Sequence, residues 1–342
     1  MKFDFVNNNS TFIIAELSAN HGHNIKIAIE TIRAAKRAGA DAIKLQTYTA
    51  DTLTINCNNE YFAISEGLWK GRTLYNLYKE AYTPWEWHEE LFQVAAQEGL
   101  LCFSTPFDKT AVDFLEQFNP PYYKIASFEI QDIPLIEYTA SKGRPMIIST
   151  GIAELEDIEL AVQTCRNAGN DNITLLKCTS SYPAPIEEAN LLTLPDLKKR
   201  FGVEVGLSDH TTGIVAPVVA VALGAKVIEK HFILDKSIGG PDASFSLDEK
   251  EFTAMVAAVR QAEKALGKPT YELTEKAKDN RKFSRSLFAV KDIKAGELFT
   301  EENVRSIRPG YGLHPRYLKE VIGKKAKVDI VVGTPLRVSH WE

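Results

Sequence analysis

Apolar runs of four to six residues recur along this chain, and eight of them end in polar or ionisable residues. The runs at 12–15, 42–46, 101–104, 122–126, 145–149, 173–178, 203–207 and 227–231 predict strands. Helix-length segments separate them, at 25–39, 84–97, from 109, from 134, at 154–167, 188–200, 213–223 and 248–266. Strand and helix in alternation predict parallel βαβ units, and eight such units predict an α/β fold closed as a TIM (β/α)8 barrel. A doubly wound open sheet would carry a Gly-rich phosphate turn after its first strand, and residues 16–24 hold none. A polar and aromatic insertion at 48–82 follows the second strand, on the side where a barrel keeps its active face, and reads as part of a lid.

The pattern changes after the eighth unit. Residues 269–284 are polar and Lys/Glu-rich, the character of a linker between a barrel at 1–268 and a small β-rich domain at 285–342. Short apolar stretches at 286–290 and 327–332, with turns at Lys294-Ala295-Gly296-Glu297 and Pro309-Gly310, give that second domain its character.

Barrel strands need apolar residues to fill the interior, but packing asks for nothing ionisable at their exits. Here the exits read Glu16, Lys44, Thr105, Lys124, Ser149, Lys177-Cys178, Ser208-Asp209-His210 and Glu229-Lys230-His231. The C-terminal ends of barrel strands converge on one face, where such enzymes place their chemistry. Fold and active face are thus predicted together.

Composition narrows the class. At 342 residues with 44% hydrophobic and 25% charged residues, the chain can bury a large core and still leave room for a second domain. A net charge of -5 gives no reason to expect nucleic acid as a partner. No apolar run approaches the roughly 18 residues of a membrane span, so no membrane partner is expected. The start at 1–10 is polar and Asn-rich, unlike a signal peptide. Four cysteines without metal or framework spacing read as reduced thiols. A cytoplasmic enzyme is the expectation.

His210 and His231, ending the last two strands, are the metal-site candidates. Two imidazoles with open positions suit Mn²⁺ or Mg²⁺ rather than closed tetrahedral zinc. Either ring could instead be a hydrogen-bonded core histidine. Lys44 and Lys124, with the hydroxyls of Thr105, Ser127, Ser149 and Ser208, would form a cationic pocket for phosphate and carboxylate on one molecule. Lys124 could alternatively form a Schiff base. Glu16 and Glu129 could serve acid–base work or bind sugar hydroxyls. Asn20-His21, Tyr182 after a hydroxyl-rich run, and Asp242 in a Gly-Gly-Pro-Asp loop could be site residues or ordinary turn and packing residues. A non-catalytic carbohydrate-binding protein built on the C-terminal domain is the reading from another class, and it leaves the polar strand ends unexplained.

Ile14-Ala15-Glu16, Asn20-His21, Ile43-Lys44-Leu45-Gln46-Thr47, Ser104-Thr105-Pro106-Phe107, Tyr123-Lys124-Ile125-Ala126-Ser127, Gly206-Leu207-Ser208-Asp209-His210 and Glu229-Lys230-His231-Phe232 closely resemble the sialic acid synthase family. Lys291-Asp292-Ile293-Lys294-Ala295-Gly296-Glu297 and Arg308-Pro309-Gly310 resemble its antifreeze-like (SAF) domain. The resemblance covers essentially the whole chain and implies condensation of phosphoenolpyruvate with an N-acetylated amino sugar, releasing phosphate. It implies that His210 and His231 hold the metal, and that Lys44, Thr105, Lys124, Ser127, Ser149 and Ser208 hold phosphoenolpyruvate. Glu16, Asn20, Gln46, Glu129, Ser180, Tyr182 and Asp242 would face the acceptor. It further implies a homodimer in which Arg308 reaches the partner's active site. The N-acetylneuraminate branch carries Ile-Gly before its Asn-His and Asn where Ser180 stands. The departure here shifts the expected acceptor from N-acetylmannosamine to 2,4-diacetamido-2,4,6-trideoxy-L-altrose, with the N-acetylneuraminate and legionaminate branches as alternatives.

Overall fold

The computed structural model describes residues 10–341, so the polar start read at 1–10 falls, except for Ser10, outside the described residues. Two compact units divide the chain, Met1–Gly267 and Lys268–Glu342. In the first, β1 (Phe12–Glu16), β2 (Ala42–Thr47), β3 (Leu101–Pro106), β4 (Tyr123–Ile125), β5 (Met146–Ser149), β6 (Ile173–Cys178), β7 (Glu204–Asp209) and β8 (Val227–His231) close into a barrel. All pairings are parallel, and β8 returns to β1 with Glu16 opposite His231.

Side chains alternate across each strand, and the two sets meet different surroundings. Phe12, Ile14, Ala42, Phe103, Tyr122, Ile147, Leu176 and Val227 form one core, the filling of the barrel. Ile13, Ala15, Ile43, Leu45, Ile125, Ile148 and Ile228 belong to the second, larger core, which joins the strands to their helices. Gly206 is required in the first set. A Cβ there would stand 2.7 Å from both Leu176 Cδ2 and the Val227 Cβ. Carried to the strand exits, the same alternation aligns Glu16, Lys44, Gln46, Thr105, Lys124, Ser149, Cys178, Ser208, Glu229 and His231 with the filling residues. It sends Lys230 the other way, where it is fully buried and its ammonium lies 2.5 Å from Asp209 Oδ2.

Local signals set the helices. Asn24 caps Ile25–Arg37, Asp108 caps Lys109–Glu116, and Asp248 with Glu251 forms a capping box on Glu249–Leu266. One expectation is corrected. The helix read at 188–200 is Thr193–Phe201, preceded by a 3-10 turn at Ile186–Glu188. A helix begun at 188 would put Pro195 in its interior, where it has no N–H to give; begun at Thr193, the proline falls in the first turn. Asn190, at a φ of 44°, makes the break.

The insertion after β2 holds two short helices, Ala50–Leu53 and Leu74–Ala81. Its Trp69 donates from the indole to the Pro241 carbonyl at 3.2 Å and lies 5.8 Å from the Tyr182 ring. This part of the expected lid therefore reaches the loops after β6 and β8.

The second unit pairs β9 (Ser286–Ala289) with β10 (Val304–Ile307) in antiparallel register around Leu287, Phe299, Val304, Ile330, Leu336 and Trp341. The stretch 327–332 forms only an isolated bridge, Ile293 to Ile330. Asp329 explains this, because its carboxylate accepts the Ala295 N–H that a ladder would need and also binds Lys294.

Candidate active site

Lys44, on the interior face of β2, is buried and its ammonium lies 2.5 Å from Glu16 Oε2 on β1. It donates to Thr105 Oγ1 at 3.2 Å. Lys124 on β4 is also buried and donates to Ser149 Oγ at 2.6 Å and to the Ile125 carbonyl at 2.9 Å. Glu229 on β8 stands between the two, with Oε1 3.9 Å from each ammonium and accepting from Ser208 Oγ at 3.0 Å. Seven strands thus contribute to one charged cluster, which pays for its desolvation by pairing and hydrogen bonds. Ser127 accepts the Gly151 N–H at 3.0 Å. A side chain at 151 would collide with Ser127, Ser180 and Cys178, so glycine keeps that approach open.

The imidazoles of His210 and His231 lie with ring centres 5.3 Å apart, over Phe245. His210 Nδ1 is 3.1 Å from the Thr179 carbonyl. A carbonyl only accepts, so Nδ1 carries the proton and Nε2 is left to bind a ligand. His231 Nδ1 is buried without a hydrogen-bond partner, 3.8 Å from Asp242 Oδ2. These two rings fit a divalent metal through that orphaned nitrogen and the His210 tautomer. Among the described residues no group of three His, Cys, Asp or Glu side chains is arranged to hold one, so the remaining positions would be open to water and substrate.

Burial and neighbours push the carboxyls apart. Burial raises Glu16 to about 7 against the pull of Lys44, with Glu229 adding to the rise. Burial opposes ionisation of Glu229 as well, but Lys124 and Lys44 overcome it and hold Glu229 below the usual carboxylate range. Burial lowers His231 well below its ordinary value, assisted by His210, Lys44, Lys230 and Lys124, which keeps it neutral. Burial would lower His210 too; the neighbouring Cys178 thiol reverses the direction.

Glu129, after β4, is raised to about 7 by burial, partly offset by Lys124. The unfolded chain loses this proton near pH 4.5 and the folded chain near 7, so ionised Glu129 costs stability increasingly across that window and fully above it. Glu129→Gln should match the parent at pH 4 and exceed it at pH 8 by on the order of 2–3 kcal/mol in urea unfolding. Equal stabilities at pH 8 would refute the burial argument.

The acceptor candidates fall into two groups. Gln46 donates to Glu16 at 3.0 Å and to Ser18 Oγ at 2.9 Å, and Ser18 donates to Asp242 at 2.6 Å. Tyr182 lies 4.5 Å from the His210 ring, and Ser180 is 3.9 Å from Cys178 Sγ. Asn20 is differently used: fully buried, its amide donates to the Phe232 carbonyl and Ser246 Oγ. His21 packs against Trp87 and His23, and burial holds it down at about 4. Arg308 belongs to the second unit, where its side chain is exposed. Sequence reasoning placed Glu229 and Cys178 at strand exits without assigning them a role, and gave Ser18 none. The alternation that aligns Glu229 with His231 was available as a signal; Ser18 lies in the stretch before Asn20-His21 where the chain departs from the N-acetylneuraminate branch.

A closed β/α barrel with paired ammoniums, carboxylates and two imidazoles at its strand exits defines an enzyme. Residues 31–271 match the NeuB family and residues 284–340 the SAF domain. The chain is 54% identical to a pseudaminic acid synthase of Campylobacter jejuni, over 99% of this chain and 98% of that protein. It is 48% identical to a pseudaminic acid synthase of Helicobacter pylori, over 96% and 97% of the two. A crystal structure of N-acetylneuraminic acid synthetase from Leptospira borgpetersenii, in complex with citrate, covers 82% of this chain and 95% of its own at 32% identity, with a TM-score of 0.71. The chain belongs to the NeuB family and is a carbon–carbon bond-forming synthase. No helix among the described residues is long and apolar enough to cross a membrane.

Proposed function

We propose that this chain is a pseudaminic acid synthase, condensing phosphoenolpyruvate with 2,4-diacetamido-2,4,6-trideoxy-L-altrose to give pseudaminic acid and phosphate. The observation that carries the reading is the joining of Lys44 and Lys124 through Glu229, two residues before His231 on β8, whose ring centre lies 5.3 Å from that of His210. It is supported by full-length likeness to pseudaminic acid synthases.

Lys44, Thr105, Lys124, Ser127, Ser149 and Ser208 hold the phosphate and carboxylate of the donor. Gln46, Glu129, Ser180, Tyr182 and Asp242 face the acceptor, and Asn20 ties the loops that present it. A divalent cation, Mn²⁺ or Mg²⁺, held by His210 and His231 would supply Lewis acidity toward the acceptor's aldehyde. C3 of phosphoenolpyruvate then bonds to the aldehyde carbon, water adds at C2, and phosphate leaves with cleavage of its C–O bond. Glu16, protonated near neutrality, gives its proton to the forming hydroxyl. Alignment of the two reactants by fixed groups lowers the barrier by about 7–11 kcal/mol. The working form is a cytoplasmic homodimer, in which Arg308 of one copy faces the barrel mouth of the other.

A phosphate-release assay against a panel of amino-hexoses tests this. The altrose derivative should be used at least tenfold better, by kcat/KM, than N-acetylmannosamine; the reverse order would overturn the acceptor. Borohydride with pyruvate should leave Lys124 unmodified, since two of its three donors are already committed to Ser149 and Ile125. A trapped adduct would establish the Schiff-base alternative.

A further inference from the structure

Ser18 sits in the turn after β1, closed by the Asn20 N–H donating to the Leu17 carbonyl at 3.0 Å. Its φ is +47°, a region that L side chains other than Asn and Asp rarely adopt and that glycine enters freely. Such an outlier persists only where the surroundings over-determine it, and such positions cluster at functional sites. Ser18 is buried, and its one hydroxyl is used twice. It donates to Asp242 Oδ2 at 2.6 Å and accepts from Gln46 Nε2 at 2.9 Å. Gln46 in turn donates to Glu16, so the hydroxyl links the loop after β8 to the proton-carrying carboxyl of β1. The neighbouring turn residues support the same join. The Ala19 N–H also donates to Asp242 Oδ2, at 3.4 Å, and Asn20 reaches Ser246, which itself donates to the Asp242 carbonyl.

We infer that Ser18 is a positioning residue for the acceptor side of the pocket: its hydroxyl fixes the carboxylate of Asp242 and the amide of Gln46 in register with each other. Glycine would suit the backbone better, so what serine adds at this position is its hydroxyl. A serine of purely structural use would make a different prediction: replacing it with glycine would change stability and leave both KM values as they were. The inference rests on the reading above that Asp242 and Gln46 face the acceptor.

Two variants separate the backbone from the hydroxyl. Ser18→Gly removes the hydroxyl and relieves the conformation; Ser18→Ala removes the hydroxyl and keeps the conformation. Both should raise the KM for the acceptor about tenfold, the effect of losing one hydrogen bond to a charged group, and leave the KM for phosphoenolpyruvate unchanged. Thermal unfolding should separate them, with Ser18→Gly melting above Ser18→Ala, because only glycine enters the positive-φ conformation freely. An acceptor KM unchanged in Ser18→Gly would overturn the inference, and so would equal rises in both KM values. A crystal structure of Ser18→Gly reads the tie without any substrate. An Asp242 carboxylate turned away from its present place supports the assignment, and one left unmoved overturns it. A parent enzyme that releases no phosphate with this acceptor would sink the proposed function instead, leaving the crystallographic test to decide on Ser18.

Discussion

His210→Ala should abolish the metal response of this enzyme and lower turnover by about 10³-fold or more, the scale of a Lewis acid's contribution of several kcal/mol. The geometry gives the reason. His210 presents one nitrogen to the Thr179 carbonyl and leaves the other free, with its ring centre 5.3 Å from that of His231, and among the described residues no group of three ligating side chains could replace it. Titration calorimetry with Mn²⁺ alone gives a readout independent of turnover: the parent should bind and the variant should not bind measurably. A variant inhibited by EDTA as the parent is would refute the ligand assignment.

Glu16→Gln should lower kcat by about 10²–10⁴-fold, with KM values within about threefold of the parent, as expected for loss of a proton-transfer group rather than of binding. The amide keeps the shape and the neighbourhood of Lys44 and Gln46 but has no proton to give. The parent's kcat/KM should also fall above pH 7, because Glu16, raised to about 7 chiefly by burial, loses its proton there. The variant should lack that limb. Equal turnover would remove Glu16 from the chemistry, and loss confined to the phosphoenolpyruvate KM would make it only a support for Lys44.

Most of the barrel is visible in the chain because its strands are short apolar runs whose exits break the pattern. The alternation of two carries further than the strand bounds. It separates Glu229 from Lys230, two adjacent ionisable residues with opposite fates, one between the pocket lysines and the other paired with Asp209 on the far side. Reading Glu229-Lys230-His231 only as a polar cluster hides that difference. Helix bounds were less legible where a proline could open a helix or break one, as at Pro195.

Sequence by itself determined the repeating β/α units, the face on which ionisable residues gather, and the family resemblance, because periodicity and motif order are local properties. Which carboxylate meets which lysine, the depression of Glu229 beside the elevation of Glu16, and the use of Ser18 across 224 positions to hold Asp242 were decided by closure of the barrel. Closure sets β8 against β1 and brings the loops after them into contact, and it removes water from charges whose pairing no linear spacing can express.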